Sequence, residues 1–424
     1  MTDGVRTGVV SGPSGKEGAT RSSPERRLVF LLGPAFVAAI AYVDPGNVAA
    51  NLTAGATYGY LLVWVLVVAN VMAVLIQYLS AKLGLVTGKS LPELLGERFP
   101  RFARLGFWVQ AELIAVATDL AEVIGGAIAL QILFGVPLLL GGLIVGVIST
   151  VLLSVQSRRG QRPFEFVIIG LLAVIAVGFV AGLMVNPLSW GGVVEGLVPR
   201  FQGSETVLLA AGMLGATVMP HAIYLHSGLA RDRHGASDDP VRVSRLLRAT
   251  RWDVAIALAI AGTVNIAMLL LAATNLRGVE GTDTIQGAHA AIVASLGPVV
   301  GIIFGVGLLA SGLASTSVGC YAGATIMSGL LQVRVPLLLR RVITLIPALI
   351  IIGIGFDPTR ALVLSQVLLS IGIPFALIPL IAYTGNRSVM GAFTNGRLVR
   401  WAAWGVTALI VLLNLALIVL TVSG

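Results

Sequence analysis

Apolar runs long enough to cross a bilayer dominate the chain, and no other feature constrains its fold so tightly. A helix needs about 20 predominantly apolar residues to span the hydrocarbon core. Such runs fall at 28–60 (interrupted), 61–85, 105–134, 137–155, 166–185, 207–230 (interrupted), 254–273, 292–331 (overlong), 335–356, 361–382 and 401–422, eleven in all. Of the 424 residues, 57% are hydrophobic and only 11% charged, which excludes an ordinary soluble domain. The sequence predicts an all-α polytopic membrane protein.

Basic residues set its orientation, because Lys and Arg are retained on the cytoplasmic side. With the N-terminus inside, 25 of the 28 lie in cytoplasmic segments and only Arg200, Arg277 and Arg360 face outward. A wrong span count would scramble this segregation. The net charge of +9 is therefore topological, and nucleic acid is not an expected partner. Residues 1–27, rich in Gly, Ser and charge, read as a disordered cytoplasmic tail ahead of a single transmembrane domain, 28–424. No short apolar segment with a small-residue cleavage site precedes the first span, so no cleaved signal is expected. Cys320 is alone, which excludes a structural disulfide.

Two spans are broken at depth. "DPGN" at 44–47 puts Asp44, Pro45, Gly46 and Asn47 in the first, and "GATVMPHAIYLHSG" at 215–228 puts Pro220 in the sixth. Proline removes a backbone donor and restricts the residue before it, and glycine loosens the chain further. A broken helix at membrane depth is tolerated only where protein or a water-filled cavity satisfies its backbone. Breaks five spans apart imply two five-helix repeats of opposite sense, 28–200 and 201–385, with an eleventh helix at 398–422. Paired interruptions of this kind point to a secondary transporter with its site near the midplane. The competing reading is two unrelated proline kinks.

The residues at the breaks suggest a metal. An Asp at mid-bilayer costs roughly 2.5–3.5 kcal/mol on insertion scales, so Asp44 asks for a counter-charge or a cavity. Asn47 adds a neutral oxygen, and unwound backbone frees the carbonyls of Ala41 and Ala216. The second break offers Met219, a thioether. Hard ions such as Mg²⁺ and Ca²⁺ want oxygen alone, whereas sulfur gives relative preference to transition metals, so the set suits Mn²⁺ or Fe²⁺. Taken by itself, Met219 reads equally as packing. Gln366 in the tenth span is an amide that could complete the shell. Gln77 and Asn70 read as interhelical hydrogen-bonding residues.

Glu112, Asp119 and Glu122 in the third span fall within an arc of roughly 80° at about 100° per residue, a single acidic stripe. Arg341, Arg233 and His221 are the expected partners. Buried carboxylates and histidine can pass protons at working pH, and a static salt-bridge network is the alternative. His226, His234 and His289 read as loop or helix-end residues.

"DPGN", "MPH", the stretch 315–341 beginning "STSVGCYAGATIM", and "AKLGLVTGKSLPELLG" at 81–96 together resemble the Nramp family of divalent metal–proton symporters over nearly the whole chain. The resemblance implies a LeuT-type fold and metal ligation by Asp44, Asn47, Met219 and the carbonyls of Ala41 and Ala216, with Gln366 joining in some states. It also implies proton movement through Asp44, His221, Asp119 and Glu122. The family's magnesium-transporting branch lacks the methionine, and the short termini look like those of bacterial manganese transporters. "LASTS" at 313–317 departs from a frequent family spelling. The expectation is a proton-coupled importer of Mn²⁺, with some Fe²⁺, in the cell membrane. It would work by alternating access, with the C-terminus outside, no resident cofactor and no obligate protein partner. An organic-solute symporter of the same architecture, an intramembrane aspartyl enzyme and a passive channel are the alternatives. The first leaves the thioether without a role, and the second gives Asp44 and Asp119 no catalytic context.

Overall fold

A computed structural model describes residues 33–423 apart from 283 and 334. The predicted tail and the start of the first span lie outside the described residues. Helices follow one another in the order α1 (Pro34–Ile40), α2 (Pro45–Tyr58), α3 (Val63–Thr87), α4 (Leu91–Arg98), α5 (Arg101–Phe134), α6 (Leu138–Arg159), α7 (Gln161–Val180) and α8 (Trp190–Glu195). The second half of the chain adds α9 (Gly203–Thr217), α10 (Pro220–His234), α11 (Pro240–Asn275), α12 (Ile285–Leu296), α13 (Pro298–Leu331), α14 (Leu337–Gly353), α15 (Pro358–Thr384), α16 (Arg387–Met390) and α17 (Arg397–Ser423). No strand occurs among the described residues.

Among the described residues, eight helical stretches are long and apolar enough to cross a membrane. The other three predicted spans are the interrupted α1–α2, α6 and the 17-residue α14. The overlong run at 292–331 differs from the single span expected. It is two helices, because Gly297 at φ +91° followed by Pro298 ends α12 and starts α13. Glycine accepts that left-handed backbone, and proline is preorganised for the first helical position.

Both predicted breaks are present. α1 tightens into a single 3₁₀ turn at Ala41–Val43, and Asp44 then adopts an extended conformation (φ −73°, ψ 167°) before α2 starts at Pro45. At the second break, Val218 leaves the helical conformation (φ −101°, ψ 78°) and Met219 is extended before α10 starts at Pro220. The breaks are held by close helix packing. Pro45 seats against Gly125 of α5, where a Cβ would overlap its ring, and Gly312 of α13 lies so close to Gly126 that a Cβ there would stand 2.9 Å from the Gly126 Cα. Small residues let membrane helices approach to backbone contact in this way. The pair of glycines on α5 thus fixes where the first break sits.

On the side where α3 ends, α4 carries a complete capping box. Ser90 accepts from the Glu93 backbone, and Glu93 reaches back to the Ser90 N–H at 2.7 Å. The Leu91 N–H donates to Ser227 Oγ of α10 at 2.9 Å, and Arg231 of α10 pairs with Glu93. Burial alone would push the Glu93 carboxyl up, but the hydrogen bonds from Ser90 and Arg231 outweigh it and hold the group below its ordinary range.

Candidate substrate site at two broken helices

The first break caps itself. Asp44 Oδ1 accepts from the Asn47 backbone N–H at 2.8 Å and from Asn47 Nδ2 at 2.7 Å, so the carboxylate serves as the N-cap of α2. Asn47 Nδ2 also donates to the Ala216 carbonyl at 2.9 Å, which ties the first break to the second. Both side chains are buried. Three oxygens around this point have no hydrogen-bond partner among the described residues: Asp44 Oδ2, Asn47 Oδ1 and Gln366 Oε1. Gln366 from α15 lies over Gly46, where a methyl group would collide with its amide. Met219, fully buried, stands at the N-cap of α10 and makes no side-chain cap. Its sulfur is the single soft donor at the paired breaks.

The unwound carbonyls are used unevenly. Those of Tyr42 and Val43 accept from Asn265 Nδ2 (2.7 Å) and Ser311 Oγ (2.5 Å), and that of Ala216 accepts from Asn47. Ala41 begins the 3₁₀ turn. No group of three or more His, Cys, Asp or Glu that could hold a metal occurs among the described residues. A site drawn from one carboxylate, two amides, a thioether and carbonyls has a different composition from such a cluster.

A cavity of 280 Å³ leads to this point from the end of the bundle where α2 finishes and α9 begins. It runs from Gly46 and Gln366 past Ala50, Thr53 and Thr57 to Tyr58 and Glu205. The Tyr58 hydroxyl donates to Glu205 Oε2 at 3.0 Å across its mouth. In the opposite direction the way is filled. Gln77 Nε2 donates to the Tyr42 hydroxyl at 2.6 Å, and Gln77 Oε1 faces His226 Nδ1 at 2.8 Å. Sequence reasoning misses this last residue. It places His226 at a loop or helix end, yet the side chain is wholly buried within α10. Polar Gln77 at the matching depth of α3 is the available signal. His289 likewise lies inside α12, where burial lowers its pKa, and His234 does end α10. Asn70 lies against Gly262 of α11, as an interhelical residue should.

The acidic stripe on α5 is resolved into three different situations. Asp119 forms a buried ion pair with Arg341 of α14 at 2.5 and 2.6 Å, and Arg341 Nε donates to Ser149 Oγ of α6 at 2.9 Å. Glu122 is completely buried, lies against Gly319 of α13, and has no hydrogen-bond partner among the described residues. It feels the charges of Asp119, Asp44 and Arg341. Glu112 sits at a partly exposed rim and pairs at 2.9 Å with Arg340, the neighbour of the expected Arg341. Arg233, an expected partner of the stripe, pairs instead with Glu165 of α7 at 3.1 Å. His221, one residue into α10, is buried, and among the described residues neither ring nitrogen has a hydrogen-bond partner, on the stripe or elsewhere.

A helical bundle with two discontinuous helices meeting at a buried polar centre, entered from one end, defines a membrane protein of the LeuT-type fold. The solved structure of MhsT in complex with L-phenylalanine shares that fold at TM-score 0.59, with 16% identity over 92% of this chain and 99% of that one. Within that class the match narrows. The family model described as natural resistance-associated macrophage protein-like (Nramp) matches residues 35–420, and this chain belongs to that family. It is 63% identical over 395 residues to the divalent metal cation transporter MntH of Mycobacterium tuberculosis (strain ATCC 25618 / H37Rv), covering 93% of this chain and 92% of the relative. It is 48% identical over 399 residues to the MntH of Bacillus subtilis (strain 168), covering 93% of each. The crystal structure of the Eremococcus coleocola manganese transporter superposes at TM-score 0.85, with 31% identity over 93% of this chain and 88% of that one. These relatives are named as transporters and not as enzymes.

Proposed function

We propose that the chain is a proton-coupled importer of divalent transition metals, chiefly Mn²⁺ and also Fe²⁺, acting across the cell membrane by alternating access. The observation that carries this reading is the meeting of two broken helices at Asp44, Asn47, Gln366 and Met219, with three buried oxygens left without a hydrogen-bond partner among the described residues. A divalent cation is the ligand that satisfies several acceptors at once. The thioether favours a transition metal over Mg²⁺ or Ca²⁺. The names of the relatives agree with a divalent metal cargo.

Asn47 has a particular part in this mechanism. Its amide hydrogens occupy the place between Asp44 Oδ1 and the Ala216 carbonyl that a cation would take. Turning the amide presents Oδ1 instead, so Asn47 changes from donor to ligand while the metal replaces its hydrogens. Ala41 would supply a carbonyl from the first break, and Gln366 would close over the ion from α15. A cation beside Asp44 favours its deprotonation. The proton leaves toward Glu122 and then Asp119, since Glu122 feels the charges of both Asp44 and Asp119. Arg341 holds Asp119, while Glu112 with Arg340 marks the rim of the route. His221, buried beside Met219 with free ring nitrogens, is a further proton carrier.

Alternating access follows from the two inverted repeats, 28–200 and 201–385, rocking about the breaks, with helix 398–422 outside them. The segregation of basic residues supports a cytoplasmic N-terminus and an outward C-terminus. On that orientation the cavity ending at Glu205 faces outward, which suits import. No obligate protein partner enters this mechanism. The test uses proteoliposomes of the full chain with an imposed proton gradient. Mn²⁺ should accumulate against its own gradient when the source side is acidic. Mn²⁺ moving only down its gradient, whatever the pH difference, would make the protein a channel and overturn the coupling.

A further inference from the structure

Away from the breaks, a second polar cavity is built from three elements. It has a volume of 400 Å³ and is lined by Lys82 and Tyr78 from the end of α3, Ser244, Arg248 and Arg251 from α11, and Thr394 from the segment between α16 and α17. Spacings of four and three residues put Ser244, Arg248 and Arg251 on one face of α11. No carboxylate lines the cavity. Among the described residues none of its three cations takes part in an ion pair. Gathering like charges in so small a space is unfavourable unless an anion joins them.

The donors are arranged rather than merely collected. Lys82, only 8% exposed, donates one hydrogen to Asn395 Oδ1 at 2.7 Å, which leaves two others for a ligand. Asn395 is itself buried, and its Nδ2 has no partner among the described residues. The Arg251 guanidinium carbon lies over the Tyr78 ring at 5.5 Å from its centroid, a cation–π contact that holds it at the cavity. Arg248 is exposed at the entrance with the Ser244 and Thr394 hydroxyls beside it. Ammonium, guanidinium and hydroxyl donors lining one cavity match the oxygens of a phosphate.

We propose that this cavity binds the phosphate of an anionic phospholipid headgroup. Three observations favour a lipid over a soluble phosphate. The cavity lies at the ends of two spanning helices, α3 and α11. Leu247 and Phe393 supply an apolar wall. Trp252, next to Arg251 and 57% exposed, marks the level of the membrane interface, where tryptophan is enriched. Basic pockets between spans at that level suit anionic headgroups. The lipid would bridge α3, α11 and the segment leading into α17, adding to the Lys82–Asn395 and Arg251–Tyr78 contacts that already join them. This inference is independent of what the protein transports.

The test is binding, read by native mass spectrometry and thermal melting of the purified full chain in detergent, with phosphatidylglycerol, phosphatidylcholine or inorganic phosphate as probe. Phosphatidylglycerol should be retained and should raise the melting temperature, while phosphatidylcholine should do neither. Removing two cations in R248Q/R251Q should lower the apparent affinity for phosphatidylglycerol by about thirtyfold. Both substituted residues are exposed, so the variant should fold, and an unchanged melt without lipid checks this. Protection by inorganic phosphate alone, equal to that by phosphatidylglycerol and lost in the variant, would overturn the lipid assignment in favour of a soluble anion. Equal retention of phosphatidylglycerol by parent and variant would overturn the site altogether.

Discussion

The two helix breaks look alike in the backbone and differ in everything else. Each ends one half-helix in an extended residue and restarts the next at a proline. At the first, Asp44 caps the new helix with its own carboxylate and Asn47 closes the loop. At the second, Met219 occupies the same cap position and offers no hydrogen bond. The charge comes from one half of the protein and the polarisable sulfur from the other. The buried Glu122 carboxylate of α5 feels the charge of Asp44 at the first break, and Asp119 lies beyond it on the same helix. On the proposed mechanism affinity and proton coupling would be concentrated on one side of the site and selectivity on the other, so mutation should separate them.

The largest effect should come from the first break. Asp44→Ala removes ligand, charge and cap together, and should lower Mn²⁺ uptake in matched proteoliposomes by on the order of 100-fold or more, beyond the 10–100-fold typical of outer-shell changes. Asp44→Asn retains a capping side chain and should melt like the parent while losing uptake just as severely. Uptake equal to that of the parent in either variant would remove Asp44 from the site.

The flank of that break is tested next. Arg341→Met leaves Asp119 buried without its partner, which should destabilise the protein by about 3–5 kcal/mol in a thermal melt, and Asp119→Asn in the same chain should recover most of it. No recovery would mean that Arg341 acts through packing. A smaller, qualitative effect belongs to the second break. Met219→Ala should leave Mn²⁺ transport measurable but reduce its preference over Ca²⁺ by on the order of tenfold in competition assays. An unchanged preference would refute the division of labour between the breaks.

The smallest effect concerns how α10 is moored. Ser90→Ala removes the cap of α4 and should cost about 1 kcal/mol. Glu93 in the same box has a lowered pKa, so its contribution is complete above the ordinary Glu value of about 4.3 and is lost as pH falls through the lowered value. Glu93→Gln should therefore be less stable than the parent at neutral pH, and the gap should close in acid. A gap that stays constant to low pH would exclude the charged form as the source.

The breaks are legible in the sequence because proline, glycine and a carboxylate together stop a membrane helix, and lipid tolerates such a stop only where protein or a cavity covers it. The pairing of Asp119 with a basic residue is legible too, since a buried stripe must be neutralised. Side-chain direction is less accessible. Arg340 and Arg341 are adjacent, yet a helix turns about 100° between them, and only contacts decide which one meets Glu112 and which meets Asp119. Arg233 looks like a partner for the stripe because its real partner, Glu165, lies on a helix whose neighbours cannot be read from a single chain. His226 is misplaced for a related reason, as its depth depends on α10 continuing to His234. The junction at Gly297 and Pro298 is hidden by apolar residues on both sides.

The seat of Pro45 on Gly125 bears on how this protein can vary over generations. Gly125 holds no ligand and carries no charge, but any side chain there would push against the ring that opens the first helix. A survey of every substitution along α5 should find this position as intolerant as Asp44 itself. Its neighbours facing lipid, such as Leu113, should accept almost any apolar replacement.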